Sequence, residues 1–375
     1  MNEKTSVKNS ILKYPMTLIV AILIVVTFVS YFLCPDKEKS EWENRYLATM
    51  PTLSMANILD SSFMTGYEDY INDQLPMRDA LIKVKAVSEA VLLKVENNGI
   101  VRGKDSYLFT KNIKDSAVFE KNINIIDQFI STIPNDVTVA IAPNATGVLE
   151  TAVPKGMPDV CQSRILDNLS ADNSLLKTAK VVNLKGVLDA HGDEYIYYRT
   201  DHHWTTLGAY YAYREIIDNP AFSADSANAQ TIDDFYGTLY AKYKGLGVIG
   251  DTITYYDIKV DSYDTGDEVF DSIYDMDKAD VFDKYGMFMR GNFGKAVIKS
   301  SNCNNGKSLI VFKDSYANCL VPFLTYDYKN ITLIDLRYFG ESVKAFMGEN
   351  KDADVLFMNN FDFLNEDNHF YKLMK

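Results

Sequence analysis

The chain's chemistry gathers at two places, an Asp-x-His spacing and a serine that ends an apolar run. The segment TDHHWTT holds two of only four histidines (His191, His202, His203 and His369), and Asp201 stands two residues before His203. A carboxylate so placed can fix an imidazole tautomer and stabilise the imidazolium while the other ring nitrogen acts as base. A structural loop whose histidines merely bond backbone would read the same locally. In extended backbone neighbouring side chains point to opposite sides, so His202 is expected to face away from His203, and a metal shared by the two is not expected. The segment SLIVFKDSYANCLVPFL puts Ser315 where a buried strand meets an apolar helix. Such a turn exposes the hydroxyl, and the free N–H groups of the first helical turn lie beside it as oxyanion donors. Hydroxyl, base and donors are what acyl transfer needs. The structural alternative is an N-cap serine, and no Gly-x-Ser-x-Gly elbow accompanies Ser315.

The elements that must hold these groups follow from pattern. VTVAIAP (137–143), AKVVNL (179–184), SLIVFKDS (308–315), NITLIDLR (330–337) and ADVLFMNN (353–360) are unbroken apolar runs ending in polar residues. Unbroken runs predict strands buried on both faces, hence an α/β fold with a mainly parallel sheet between helical layers. Chemistry in such sheets collects at the carboxyl ends of the strands, where Asn144, Asp314, Ser315, Arg337 and Asn359 fall. Asn144 and Arg337 are the candidate side-chain donors to an oxyanion or substrate; each would also serve as a loop-stabilising residue. Trp204 is a candidate platform for a sugar, although a large aromatic beside a loop also packs into cores. Thr205 or Thr206 is placed to cap the helix GAYYAYREIID. Upstream, helical periodicity runs over Leu53–Val95, VRGKDSYLFT reads as a hairpin, and a helix over Val118–Ile133 stops at Pro134. An acidic, tyrosine-rich stretch over 219–290 has no period and reads as an insertion.

The 375 residues carry a net charge of −13 and 47% hydrophobic side chains. That composition supports a full core and excludes wholesale disorder. The acidic balance, without a basic stripe, argues against nucleic acid as a partner. Cys34, Cys161, Cys303 and Cys319 include no C-x-x-C pair, so neither a disulfide scaffold nor a zinc site is indicated. The 25 tyrosines would suit contacts to sugars, but biased base composition accounts for them as simply. Met16–Cys34 is free of charge and long enough to span a bilayer. Lys4, Lys8 and Lys13 precede it against Glu3 alone, which keeps the N-terminus cytoplasmic. SYFLCPDKEK lacks an A-x-A-like cleavage site, and Phe32 and Leu33 are too bulky for lipoprotein processing at Cys34. The expectation is an uncleaved single-pass cell-membrane anchor: a tail over 1–15, a span over 16–34, a stalk and helical segment over 35–96, and an extracellular α/β domain over 97–375.

Asp201-His202-His203-Trp204 resembles the signature of the DHHW proteins of Gram-positive bacteria, which are similar to the SGNH-hydrolase-like domain of alginate O-acetylation proteins. Glu43-Asn44-Arg45-Tyr46-Leu47-Ala48, Asp73-Gln74-Leu75-Pro76-Met77-Arg78-Asp79, Gly103-Lys104-Asp105-Ser106-Tyr107-Leu108-Phe109 and the Ser315 turn extend the likeness from about residue 41 to the C-terminus. The resemblance implies an SGNH-like three-layer sandwich with Ser315 as nucleophile, His203 as base and Asp201 as its orienting acid. It implies O-acetyl transfer to a cell-surface or exported polysaccharide. A multi-pass membrane acyltransferase would then be the partner supplying acetyl groups. An acetylesterase, or a non-catalytic scaffold or glycan-binding subunit, is the alternative. No cofactor is implied. Asp314 departs from the small residue usual before the family's serine, and the SGNH oxyanion blocks have no sure counterpart.

Overall fold

The computed structural model describes residues 14–40, 45–111, 117–158, 162–170, 176 and 178–375. Glu3, Lys4, Lys8 and Lys13, Glu43 and Asn44 of the ENRYLA segment, and Cys161 lie outside them. The chain divides into two units, residues up to 94 with 244–246, and residues 95–243 with 247–375.

In the first unit, helix α1 (Pro15–Leu33) carries no charge and buries none of its residues. Pro15 opens it, at a position where a missing N–H costs nothing. The nineteen residues rise about 28 Å at 1.5 Å each, so length and composition suit a bilayer core. The periodic stretch that follows is three helices, α2 (Met55–Leu59), α3 (Ser62–Asp73) and α4 (Arg78–Val91). The chain turns between the last two at Pro76 and at Met77, whose φ of 60° no helix accommodates.

The second unit opens with an antiparallel sheet of β1 (Glu96–Asn97), β2 (Ile100–Arg102) and β3 (Leu108–Thr110). Helix α5 (Ala117–Ile130) leads to β4 (Val137–Ala142) and β5 (Lys180–Val182), and α6 (Thr206–Ile216) follows. Next come the two-stranded β6 (Ala229–Phe235) and β7 (Asp251–Tyr256), then β8 (Ser262–Asp264), β9 (Val269–Phe270), β10 (Lys295–Lys299), β11 (Ser308–Lys313), β12 (Asn330–Ile334) and β13 (Asp354–Asn360). The central sheet has eight strands in the order β9-β8-β10-β12-β11-β13-β4-β5. The five from β12 to β5 are parallel, while β10, β8 and β9 add an antiparallel edge. The sheet is therefore mixed, which corrects the expectation of a mainly parallel one. The stretch read as an insertion supplies β8 and β9, strands too short to show a period.

Alternate residues of each parallel strand feed two cores, as a period of two requires. Val139 and Ile141, Ile310 and Phe312, and Val355 and Phe357 face one, where Phe119, Ile123, Ile126 and Phe129 of α5 cover them. Ala140, Leu309, Val311, Leu356 and Met358 face the other, beneath Ala209, Ala212, Tyr213 and Ile216 of α6. Helices thus flank the sheet on both faces. At its carboxyl edge β11 runs into Asp314 and Ser315, β13 into Asn360, β4 into Asn144, and β12 into Asp335 and Arg337.

Candidate active site

The loop carrying Asp201 is closed at its base, where Tyr198 N donates to His203 O (3.2 Å) and Thr205 N to Ile196 O (2.9 Å). At its tip Asp201 Oδ1 accepts from the backbone N–H of His203 (3.0 Å), an Asx turn. That turn replaces extended backbone, so alternation fails. The rings of His202 and His203 lie side by side, centroids 3.8 Å apart, contrary to the expectation that they diverge. Thr205 caps α6, its hydroxyl accepting from Gly208 N.

Asp201, His203 and Ser315 form one continuous chain of hydrogen bonds. Asp201 Oδ1 is 2.5 Å from His203 Nδ1, and His203 Nε2 is 2.8 Å from Ser315 Oγ. Asp201 Oδ2 accepts from Thr238 N (2.8 Å) and Thr238 Oγ1 (2.9 Å). Burial alone would raise the pKa of this carboxyl, but the two imidazoles beside it and these hydrogen bonds outweigh that and hold it well below the usual range. An ionised Asp201 can only accept, so His203 Nδ1 carries the proton and Nε2 is left to accept from the serine.

Residues between 237 and 285 brace every part of this chain. Gly237 packs so closely that a Cβ there would lie 2.3 Å from Asp201 Cβ. Buried Asp251, from β7, accepts from the N–H groups of Arg199 and Thr200 (2.8 Å each) and fixes the entry to the loop. Tyr285 stacks on the His203 ring at 3.8 Å and 10°, and its hydroxyl donates to Ser315 O at 3.0 Å. Sequence reasoning singled out none of Gly237, Thr238, Asp251 and Tyr285.

Ser315 opens a 3-10 turn (Ser315–Cys319) instead of a regular helix. Asp314 caps it, Oδ1 accepting from Tyr316 N (2.8 Å), while Oδ2 accepts from Asn360 N (2.6 Å) and ties the turn to the end of β13. The acidic residue before the serine is therefore a clamp. It also occupies the Tyr316 N–H, so that group is not the free oxyanion donor expected from a helix start.

Ser315, His202, Tyr316, Arg337, Asn360 and Phe363 line an open groove of about 300 Å³, together with the acidic Asp362, Glu366 and Asp367. Arg337 is held by a two-pronged bond to buried Asp335 (2.9 and 2.6 Å) and faces the same groove. Asn144 lines an adjoining pocket with His202 and Asn360, its Oδ1 accepting from Asn360 Nδ2 at 2.7 Å. Trp204 is elsewhere. It is wholly buried and its indole N–H donates to Tyr316 O (2.9 Å), so it is a core residue and not a sugar platform. Asp201, His202 and His203 bring potential metal-ligand atoms within 4.8 Å of one another. A cation there would have to displace the bonds from His203 and Thr238 that fill the carboxylate.

Fold and site together define an α/β protein with an Asp–His–Ser chain at the carboxyl edge of its sheet. The DHHW protein family pattern matches residues 104–334, more than half of the chain, and the protein belongs to that family. A DHHW family protein from Eubacterium siraeum shares the architecture at 27% identity and a TM-score of 0.63, over 75% of this chain and 96% of that one. Bacillus cereus PatB1 does so at 22% identity and 0.60, over 72% and 98%, and has also been solved with a sulfonyl adduct. The O-acetyltransferase domain of Pseudomonas putida AlgJ is more distant, at 15% identity and 0.45, over 72% and 93%. No curated protein matches the chain.

Proposed function

We propose that this protein is a membrane-anchored O-acetyltransferase that modifies a cell-surface or exported polysaccharide through an acetyl-Ser315 intermediate, with α1 as the anchor and the second unit outside. The observation that carries the reading is the unbroken Asp201–His203–Ser315 chain opening on a groove. Its SGNH-like resemblance to O-acetylation proteins points the same way. No residue here requires a cofactor, because a serine can carry the acyl group alone.

The steps follow from the geometry. His203 Nε2 takes the Ser315 hydroxyl proton as Oγ attacks the acetyl carbonyl of a donor. The tetrahedral oxyanion collapses, His203 returns the proton to the leaving group, and acetyl-Ser315 remains. A glycan hydroxyl then gives its proton to His203, attacks the acetyl carbon and leaves as the acetate ester, while the proton returns to Ser315 Oγ. Asp201 fixes the tautomer and stabilises the imidazolium in both halves. Arg337 and the Ser315 N–H are the proposed oxyanion or substrate donors on the groove side, with Asn144 a substrate contact in the adjoining pocket.

The test is full-length protein in detergent with p-nitrophenyl acetate. Mass spectrometry should find acetyl on the Ser315 peptide of the wild type and not of Ser315→Ala. His203→Ala should lose nearly as much rate as Ser315→Ala, since members of one catalytic unit do not add. Release of acetate whatever hydroxyl acceptor is supplied would identify an esterase. Inertness of the wild type toward activated esters and sulfonyl fluorides would overturn catalysis in favour of a scaffold or glycan-binding role.

A further inference from the structure

The acyl-transfer reading uses one histidine of the adjacent pair, yet the second also faces the groove. The His202 side chain is 44% exposed and lines both the pocket at Ser315 and the one at Asn144. Its Nδ1 lies 2.7 Å from Thr238 Oγ1, and that same oxygen lies 2.9 Å from Asp201 Oδ2. An ionised carboxylate only accepts, so the threonine proton points to Asp201, and the threonine oxygen can then only accept from His202. Nδ1 therefore carries the His202 proton. In a neutral imidazole this leaves a lone pair on Nε2, which has no partner among the described residues. Desolvation of the packed side of the ring and the neighbouring His203 hold its pKa below the ordinary imidazole value, which keeps it neutral. The Tyr316 hydroxyl donates to His202 O and fixes the backbone behind it.

Two imidazoles with the same tautomer thus lie side by side, centroids 3.8 Å apart, at the groove that holds the nucleophile. We propose that His202 Nε2 is a hydroxyl-binding subsite, so that the acceptor is a vicinal diol: His203 receives the proton of the hydroxyl that is acetylated, and His202 accepts a hydrogen bond from its neighbour. This inference rests on the acyl-transfer reading and narrows its acceptor to sugars and polyols with adjacent free hydroxyls. His202 forms and breaks no covalent bond in the reaction. Its lone pair orients the acceptor, and no oxidant or metal is needed.

The experiment supplies two small acceptors, glycerol and propan-1-ol, to acetyl-enzyme formed from p-nitrophenyl acetate on the full-length protein. Wild type should acetylate glycerol about threefold to tenfold faster than propan-1-ol, the worth of one neutral hydrogen bond. His202→Ala should bring that ratio, counted per primary hydroxyl, to about one. His202→Phe keeps a flat ring against His203, lacks the lone pair, and should do the same, with melting curves confirming that both variants fold. A ratio left intact in both variants, or no preference in the wild type, overturns the proposal. With only four histidines, nitrogen-15 histidine labelling gives a readout independent of turnover. The His202 signals should report a proton on Nδ1 and a bare Nε2. A proton on Nε2 while Ser315 still acetylates overturns this inference alone. Failure of Ser315 to acetylate overturns the acyl-transfer reading, and the diol subsite with it.

Discussion

Gly237→Ala adds one methyl group and should disable the site while leaving Asp201, His203 and Ser315 themselves unsubstituted. The new Cβ would sit 2.3 Å from Asp201 Cβ, 2.4 Å from its Oδ2 and 2.7 Å from its Cγ, where ordinary contact starts at 3.4 Å. The two segments must part by about 1 Å. Asp201 is pinned by the His203 ring at 2.5 Å and by Thr238 at 2.8 and 2.9 Å, so none of these bonds survives such a shift intact. Misplacing a catalytic group by about 1 Å costs on the order of 100-fold in rate, and overpacking costs about 1–3 kcal/mol of stability. The assay is the rate at which a sulfonyl fluoride labels Ser315, read by mass spectrometry beside a melting curve. Gly348→Ala is the control, because Gly348 lies in the helix Val343–Glu349 with nothing within 4 Å of its added Cβ. It should label normally and melt at the same temperature or up to about 1 kcal/mol more stable. A Gly237→Ala protein that labels and melts like the wild type would refute the account of how Asp201 is held.

Tyr285→Leu removes both the stack on His203 and the bond to Ser315 O and should slow labelling by at least about tenfold. Tyr285→Phe, which keeps the stack, should lose only about threefold, the worth of one hydrogen bond. Equal rates in the two would mean that the ring does not hold the base. Because Asp201 titrates below its unfolded value of about 3.9, its ionic contribution is whole above about pH 4 and fades as pH falls further. The gap between the denaturant midpoints of wild type and Asp201→Asn should therefore hold steady from pH 6 to about pH 4 and narrow progressively as pH falls below that, and a gap that stays constant down to about pH 2 would contradict the depressed pKa. Protease added to intact protoplasts should remove the second unit, and a protected domain would overturn the proposed orientation of α1.

What was legible in the sequence was local. The Asp-x-His spacing and the serine closing SLIVFKDS are visible patterns, and the structure joins those three side chains by hydrogen bonds. Strands β11 and β13 are legible because they are buried along nearly their whole length. By contrast, β10 alternates buried with less buried residues, and β8 and β9 have three and two residues, so the antiparallel edge left no comparable trace. The orientation of His202 depended on an Asx turn that overrides strand alternation, and Trp204 reads alike as platform or core until its burial is known. Tyr285, Thr238 and Asp251 were hidden for another reason. Each acts on a residue at least 30 positions away, across a stretch with no periodicity to mark it.

His203 and Ser315 meet across 112 residues of chain. Closing so long a loop costs entropy before the contact returns anything, and non-local pairings of this kind are slow to form. Without Asp251 of β7 and Tyr285 in place, the loop entry and the His203 ring lose the partners that hold the base at Ser315. On the proposed mechanism, competence for acylation is thereby tied to folding. On that mechanism a half-folded chain would not capture an acetyl group, and the appearance of a labelled serine would report that His203 and Ser315 have met.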